Sequence, residues 1–336
     1  MKIYYFLMLL FFCISTDLHA QKIQMLQQDT ATSIRGLSVV NDQIAWVSGS
    51  RGHIGISING GNTWKWQQIK GFEKSDFRDI EAFSATEAII VSSGTPALTM
   101  KTTNAGESWK VVYRQDNKAW FLDEMTFVDK QHGFILGDPI DGKFVMLETK
   151  NRGESWKPIA NSPSAMPDEA AFAASGTGVI NQPNSKNFYF VTGGKVARLF
   201  KCVKGKFIVE PLPLKQGLPS QGAFSVAAVN SRLVIVGGDY QLPGSRDAVA
   251  CFYDGKSSKN IRLSDTQPMG FQSCVIFLSD NVFLATGTSG TNISRDGGEN
   301  WQTVDAISFN VCQKAKHGKL VLLAGDKGKI ARFINH

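Results

Sequence analysis

Seven polar side chains, Arg35, Arg78, Asp123, Glu169, Gln221, Gln272 and Asn310, stand at matching points at the head of apolar runs spaced forty-odd residues apart. A second set, Asp138, Asp239, Tyr240 and Asp326, follows apolar runs that end in glycine. Packed round an axis, such runs would bring arginines from one side, carboxylates from the next and amides from the rest to a single mouth. Such a ring could grip a carboxylate or a sugar through Arg35 and Arg78 while Asp123 or Glu169 accepts hydroxyls, with Asp138, Asp239, Tyr240 and Gln272 completing the expected binding set. Catalysis asks for more. A retaining glycosidase needs two carboxyls about 5 Å apart and an inverting one a wider gap that admits water, which makes Asp123 and Glu169, on neighbouring runs, the candidate pair. The competing expectation is that arginines and acids neutralise one another and merely order the mouth, because buried charges need partners whatever the function.

The elements that must hold these groups are announced by a repeated turn. Ser57-Ile-Asn59-Gly-Gly61-Asn-Thr-Trp64 recurs as Thr102-Thr-Asn104-Ala-Gly106-Glu-Ser-Trp109, Thr149-Lys-Asn151-Arg-Gly153-Glu-Ser-Trp156 and Ser294-Arg-Asp296-Gly-Gly298-Glu-Asn-Trp301. The Asx side chain is expected to bond amides two residues on, glycine to supply positive φ, and tryptophan to fold back over a hairpin. The spacing leaves room for two decayed copies, near Lys201 and Tyr253. A period in the forties with hairpin punctuation predicts blades of four antiparallel strands in a β-propeller. Apolar runs ending at Gly49, Gly94, Gly137, Gly193, Gly237, Gly287 and Gly325 count seven blades, including those where the turn motif has decayed. The lone strand-like segment Lys22–Gln27 has no local partner, and the last unit has only three strands; the first is expected to complete the last and close the ring. Alternating strand direction puts the tryptophan hairpins on one face. The long connections Gly71–Asp76, Ala160–Asp168, Pro211–Gly222, Asp239–Arg246 and Ser264–Gly270 gather on the other, around the mouth.

Composition agrees with one all-β domain over residues 21–336. The 336 residues are 43% hydrophobic with 32 glycines. Residues 1–20 read as a signal peptide: Lys2, an apolar run from Ile3 to Ile14, then Leu18-His-Ala20. The run is too short to span a bilayer and no second one follows, so an exported chain, periplasmic or secreted, with no transmembrane segment is expected. The formal charge of +7 comes from scattered lysines without interleaved aromatics, which argues against nucleic acid. Cys202, Cys251, Cys274 and Cys312 sit in apolar runs and read as buried small hydrophobes. No phosphate loop, dinucleotide fingerprint or metal-ligand spacing occurs, so no cofactor and no metal are expected.

The repeated turn resembles the Asp-box, or bacterial neuraminidase repeat, of sialidases, sortilin-type receptors and photosystem II assembly-factor-like propellers. Ser33-Ile-Arg-Gly-Leu37, Trp46-Val-Ser-Gly49 and the close spacing look most like the photosystem II stability/assembly-factor type. That resemblance implies a seven-bladed exported protein that binds other proteins, with Arg35 and Arg78 standing for arginines such factors present at the channel. Sialidases resemble six-bladed rings with an Arg-Ile-Pro motif, three rim arginines and a tyrosine nucleophile. Here Arg35 is followed by Gly-Leu, a third rim arginine is missing, and Tyr240 alone approaches the mouth from a loop. The expectation is a non-catalytic, monomeric binding or assembly propeller for a protein or carbohydrate ligand. The alternative is a glycoside hydrolase using the rim carboxylates.

Overall fold

The structure, a computed structural model, describes residues 21–182, 185–255 and 261–334. Residues 1–20, where the sequence places a signal peptide, lie outside them. Seven antiparallel sheets follow one another along the chain. Their innermost strands are Ile34–Val39, Asp76–Ala82, Leu122–Phe127, Val179–Asn181, Gln221–Val229, Cys274–Ser279 and Val311–Lys314. Each touches the next, and the seventh touches the first. The molecule is therefore a seven-bladed β-propeller. Its closure is the one expected: Lys22–Gln27 pairs antiparallel with Ile330–Ile334, Ile23 opposite Phe333, as fourth strand of the seventh blade. No helix among the described residues is long and apolar enough to cross a membrane.

Second strands such as Ala45–Gly49 and Ala88–Ser93 are buried along their whole length, because both faces of a blade pack on neighbours. Trp46, buried between the first two blades, donates from its indole to the Ser84 carbonyl at 2.9 Å and meets the Trp109 ring edge-on at 6.4 Å. All four described cysteines are buried free thiols, with the Sγ atoms of Cys274 and Cys312 3.6 Å apart on adjacent innermost strands.

The four turn motifs share one hydrogen-bond scheme, which differs from the expected two-residue reach. The hydroxyl leading each box accepts from the glycine amide four residues on, at 2.9, 3.0, 3.0 and 2.8 Å for Ser57, Thr102, Thr149 and Ser294. The Asx oxygen accepts from the amide four residues after itself, Thr63, Ser108, Ser155 or Asn300, at 2.9–3.1 Å. Two successive residues carry positive φ, as at Arg152 (57°) and Gly153 (76°). The second must be glycine for a reason beyond φ: a Cβ on Gly153 would stand 2.2 Å from Ile89 of the preceding blade, and one on Gly298 2.8 Å from Val234. Each box thus wedges its blade against the one before it. The copy expected near Lys201 is instead a two-residue hairpin, Lys204-Gly205, with positive φ at both positions, the geometry that matches strand twist without any box.

The fourth blade departs most from expectation. Glu169–Ala170 does not open the innermost strand. It pairs with Gly193–Gly194, which continues onto the fifth blade at Gly222. The intervening residues 171–178 cross the axis before the chain enters the blade at Val179. They are held there by Ser175 donating to the Ser273 carbonyl (2.7 Å) and by Thr177 hydrogen-bonded to Ser225 (2.6 Å), and Gly176 packs over Asp79. This segment plugs the channel.

Candidate functional site

Four innermost strands carry a β-bulge at the same level. The pairing skips Arg35 between Ile34 and Gly36, Arg78 between Phe77 and Asp79, Asp123 between Leu122 and Glu124, and Phe224 between Ala223 and Ser225. A bulge adds one residue, bends the strand and re-aims that residue's side chain, so the bulge itself delivers these four groups to the mouth. Above the plug they line a pocket of about 520 Å³ together with Asp138, Phe172, Tyr240, Phe271, Asn310 and Asp326.

The pocket brings together five of the eight expected binding residues: Arg35, Arg78, Asp123, Asp138 and Tyr240. Three lie elsewhere. Glu169 is locked by Arg198, whose Nη2 and Nε donate to it, by the Thr192 hydroxyl at 2.5 Å and by the Met166 amide at 2.8 Å. Its position follows from the pairing of residues 169–170 with Gly193–Gly194, about ten residues ahead of the blade, so Asp123 and Glu169 do not form a carboxyl pair across a common cavity. Gln272 is fully buried and donates to the Gly270 carbonyl (3.0 Å) and Ser289 (2.9 Å); the place at the mouth belongs to its neighbour Ser273. Asp239 accepts from Gln221 (3.0 Å) and the Gln241 amide (2.9 Å), which orders the turn after the second strand. Gln221 therefore sits beside Asp239, and the level it was expected to occupy belongs to Phe224, three residues on.

Electrostatically the two sides of the pocket differ. Arg78 is engaged, donating to Asp76 at 2.8 Å and to the Ala173 carbonyl at 3.3 Å. Arg35 has no ion pair or hydrogen bond among the described residues. Burial, then the nearby Arg78, hold its guanidinium below the ordinary value, with Asp326 and Asp76 acting the other way. Asp326 also bears a burial cost, but hydrogen bonds from Ser33 (2.5 Å) and Asn310 (3.0 Å) keep it below the usual carboxylate range. On the other side, burial raises Asp138 to about 6 against one amide bond from Ala171 at 3.1 Å. Asp123 is raised well above its ordinary value, by burial first and Asp138 second; Arg78 and the Ala173 and Asp138 amides oppose this. Those amides lean toward Asp123 without closing a hydrogen bond on either oxygen.

The third wall was not anticipated. Phe172 of the plug stacks on Phe224 with ring centroids 3.9 Å apart and planes 7° from parallel. Phe271 meets Phe224 edge-on at 4.8 Å, and Tyr240 meets it at 6.2 Å. The available signal was the small-residue run Ala170-Ala-Phe-Ala-Ala174, whose side chains let the backbone pass close to the axis and leave one phenyl ring to project. Exposed Met166, Leu218, Tyr240 and Leu242 lie on the long connections of the same face.

Beneath the pocket sits a second pair of buried acids. Asp79 accepts from the Ile80 amide at 2.7 Å and the Met125 amide at 2.6 Å. Glu124 faces Gly178, where a Cβ would fall 2.4 Å from its Oε2, and no full hydrogen bond reaches either of its oxygens.

Residues 16–119 match the family model of the photosynthesis system II assembly factor YCF48. Over 112 residues the chain is 31% identical to the chloroplastic photosystem II stability/assembly factor HCF136 of Oryza sativa subsp. japonica, a stretch that is 32% of this chain and 26% of that protein. The match thus spans about a quarter of that relative's length. Among solved structures, YCF48 bound to D1 peptide superposes with a TM-score of 0.65 at 15% identity, covering 95% of this chain and 96% of that one. YCF48 from Cyanidioschyzon merolae gives 0.62 at 15%, covering 94% and 98%. The WD40 domain of Neurospora crassa Pan2 gives 0.62 at 11%, covering 94% and 97%. At such identities the structural likeness is one of fold. The chain is a seven-bladed β-propeller whose first third is similar in sequence to photosystem II assembly factors.

Proposed function

We propose that this protein is a non-catalytic binding or assembly propeller that holds a segment of a partner polypeptide in the pocket on its loop-rich face. The observation that carries the reading is the lining: an arginine without a partner and a buried carboxyl without a donor among the described residues converge with a wall of aromatic rings on one open cavity. Exposed apolar side chains on the surrounding loops extend that wall toward a partner larger than the cavity. A propeller of the same fold, YCF48, has been solved with a D1 peptide bound, which supports a polypeptide as ligand. The glycosidase alternative loses the Asp123 and Glu169 pair that the sequence suggested for it, because Glu169 is held by Arg198 away from the pocket.

The test is selection of a random phage-displayed peptide library on the folded protein, repeated on Thr288→Trp, which places an indole from an exposed turn across the mouth. Peptides should be recovered on the wild type and should bind the variant at least about tenfold more weakly, equivalent to about 1.4 kcal/mol. Recovery of no peptide, or of peptides indifferent to the variant, would overturn the reading; hits on a glycan array blocked by the same variant would put a carbohydrate in its place.

We also propose that residues 1–20 direct export and are removed, leaving Gln21 as the first residue. Amino-terminal sequencing of the protein expressed with its own leader should begin at Gln21. Retention of Met1 in the accumulated product would refute this.

A further inference from the structure

We propose that Asp123 and Asp138 form a subsite for a basic side chain, so that the polypeptide held in the pocket places a lysine or arginine there. The inference rests on the polypeptide-binding reading above and adds the chemistry of the residue recognised. Asp123 is only 1% exposed, projects from a bulge into the cavity, and has no donor on either oxygen. Such an acid bears the cost of unmade hydrogen bonds, a larger one if ionised, and a native fold keeps it only where something else offsets that cost. Nothing among the described residues does so. Arg78 is spent on Asp76, and Arg35, which makes no ion pair among the described residues, lies under the influence of Asp326 and makes no hydrogen bond to Asp123. Asp138 has committed one oxygen to the Ala171 amide. The demand left over in the pocket is therefore for a donor at the acid pair.

A cation meets that demand better than a neutral hydroxyl. Two carboxyls near each other in a desolvated wall repel when both ionise, and a proton or a bound cation relieves the repulsion. Asp123 faces Asp138 across its own blade, Arg78 from the second blade and Glu124 next along its strand. In the empty pocket burial disfavours its anion, so the proposed subsite holds a proton there. When an ammonium or guanidinium enters, that proton passes to solvent and the carboxylate takes the ligand's N–H groups, so the charge of the pocket is unchanged. The aromatic rings of Phe172, Phe224, Phe271 and Tyr240 supply the rest: their faces attract a cation, and they cover the aliphatic stem of a long basic side chain.

The experiment uses peptides from the library selection on the intact protein. A lysine or arginine should recur at one position of the pocket-dependent binders. For one such peptide, exchanging that residue for norleucine should weaken binding at least tenfold on the wild type and less than threefold on Asp123→Asn. Calorimetry near pH 7 in two buffers of different ionisation enthalpy should show release of close to one proton on binding, lost in Asp123→Asn and reduced in Asp138→Asn. Pocket-dependent binders with no basic residue in common, or equal norleucine penalties on wild type and Asp123→Asn, would overturn the subsite while leaving the polypeptide-binding reading intact. Failure to recover any pocket-dependent peptide would overturn that reading itself.

Discussion

A chain lacking Lys22–Gln27 should lose about 5 kcal/mol or more of stability, a large share of the 5–15 kcal/mol available to a typical fold. The strand is short, but it closes the ring. It pairs with Ile330–Ile334 along its length, and without it that strand becomes an unprotected edge. Ile23 is buried in the core between the seventh blade and its neighbours, a burial that contributes about 2–3 kcal/mol. Leu26 packs on the same cluster, close to Gly61 of the first box, so the strand also seats the wedge between the seventh and first blades. Urea denaturation of the truncated protein, with size-exclusion chromatography for aggregation through the open edge, measures the loss. Ile23→Asp should reproduce much of it, whereas Gln24→Asp, on the exposed face, should change little. A synthetic peptide of the missing strand added in trans should restore folding. An unchanged urea midpoint in the truncated chain would show that the three remaining strands close the ring unaided.

What was legible in the sequence divides along physical lines. The blade count, the closure and the four boxes were readable because each depends on local chemistry. Hydroxyl, Asx and glycine at fixed offsets dictate a turn, and an apolar run ending in glycine marks a strand buried on both faces. The site was legible only where that period holds. Arg35, Arg78 and Asp123 fall at one level because no segment like the plug precedes the innermost strands of the first three blades, and the bulge is common to all three. At the fourth blade the plug interrupts the period, and an apolar-pattern alignment stops at Glu169 when the strand begins at Val179. At the fifth, Gln221 lies in the innermost strand but three residues ahead of the bulge at Phe224. The aromatic wall was missed for a different reason. Phenylalanines in a β-rich chain read as core, and only the tertiary crossing of residues 171–178 turns Phe172 toward the pocket.

The stability of this protein should fall as pH rises from about 5 to 8, opposite to the behaviour of a fold held by ionised carboxylates. Burial raises Asp79 to about 8; the Met125 and Ile80 amides and Lys316 work against this, and Glu81 works with it. Burial also raises Glu124 well above its ordinary value, aided by Asp79 and Asp123 and opposed by the Val179 and Gly178 amides. Asp123 is raised likewise, and Asp138 to about 6. In the unfolded chain all four titrate near pH 4. Between that value and the folded one, the native state holds protons that the unfolded state has released. Stability from these groups is therefore complete below pH 4 and is lost as pH climbs through the folded values, by about 1.4 kcal/mol per pH unit for each retained proton. Urea unfolding at pH 5.0, 6.5 and 8.0 should show the decline, its slope easing above pH 6 as Asp138 ionises in the native state. Glu124→Gln keeps shape and removes the titration, so its stability should fall less steeply and exceed that of the wild type most at pH 8.0. A flat wild-type profile, or parallel profiles for wild type and Glu124→Gln, would mean that the acids beneath the plug are ionised and paired. The channel would then have to admit water or a cation past residues 171–178.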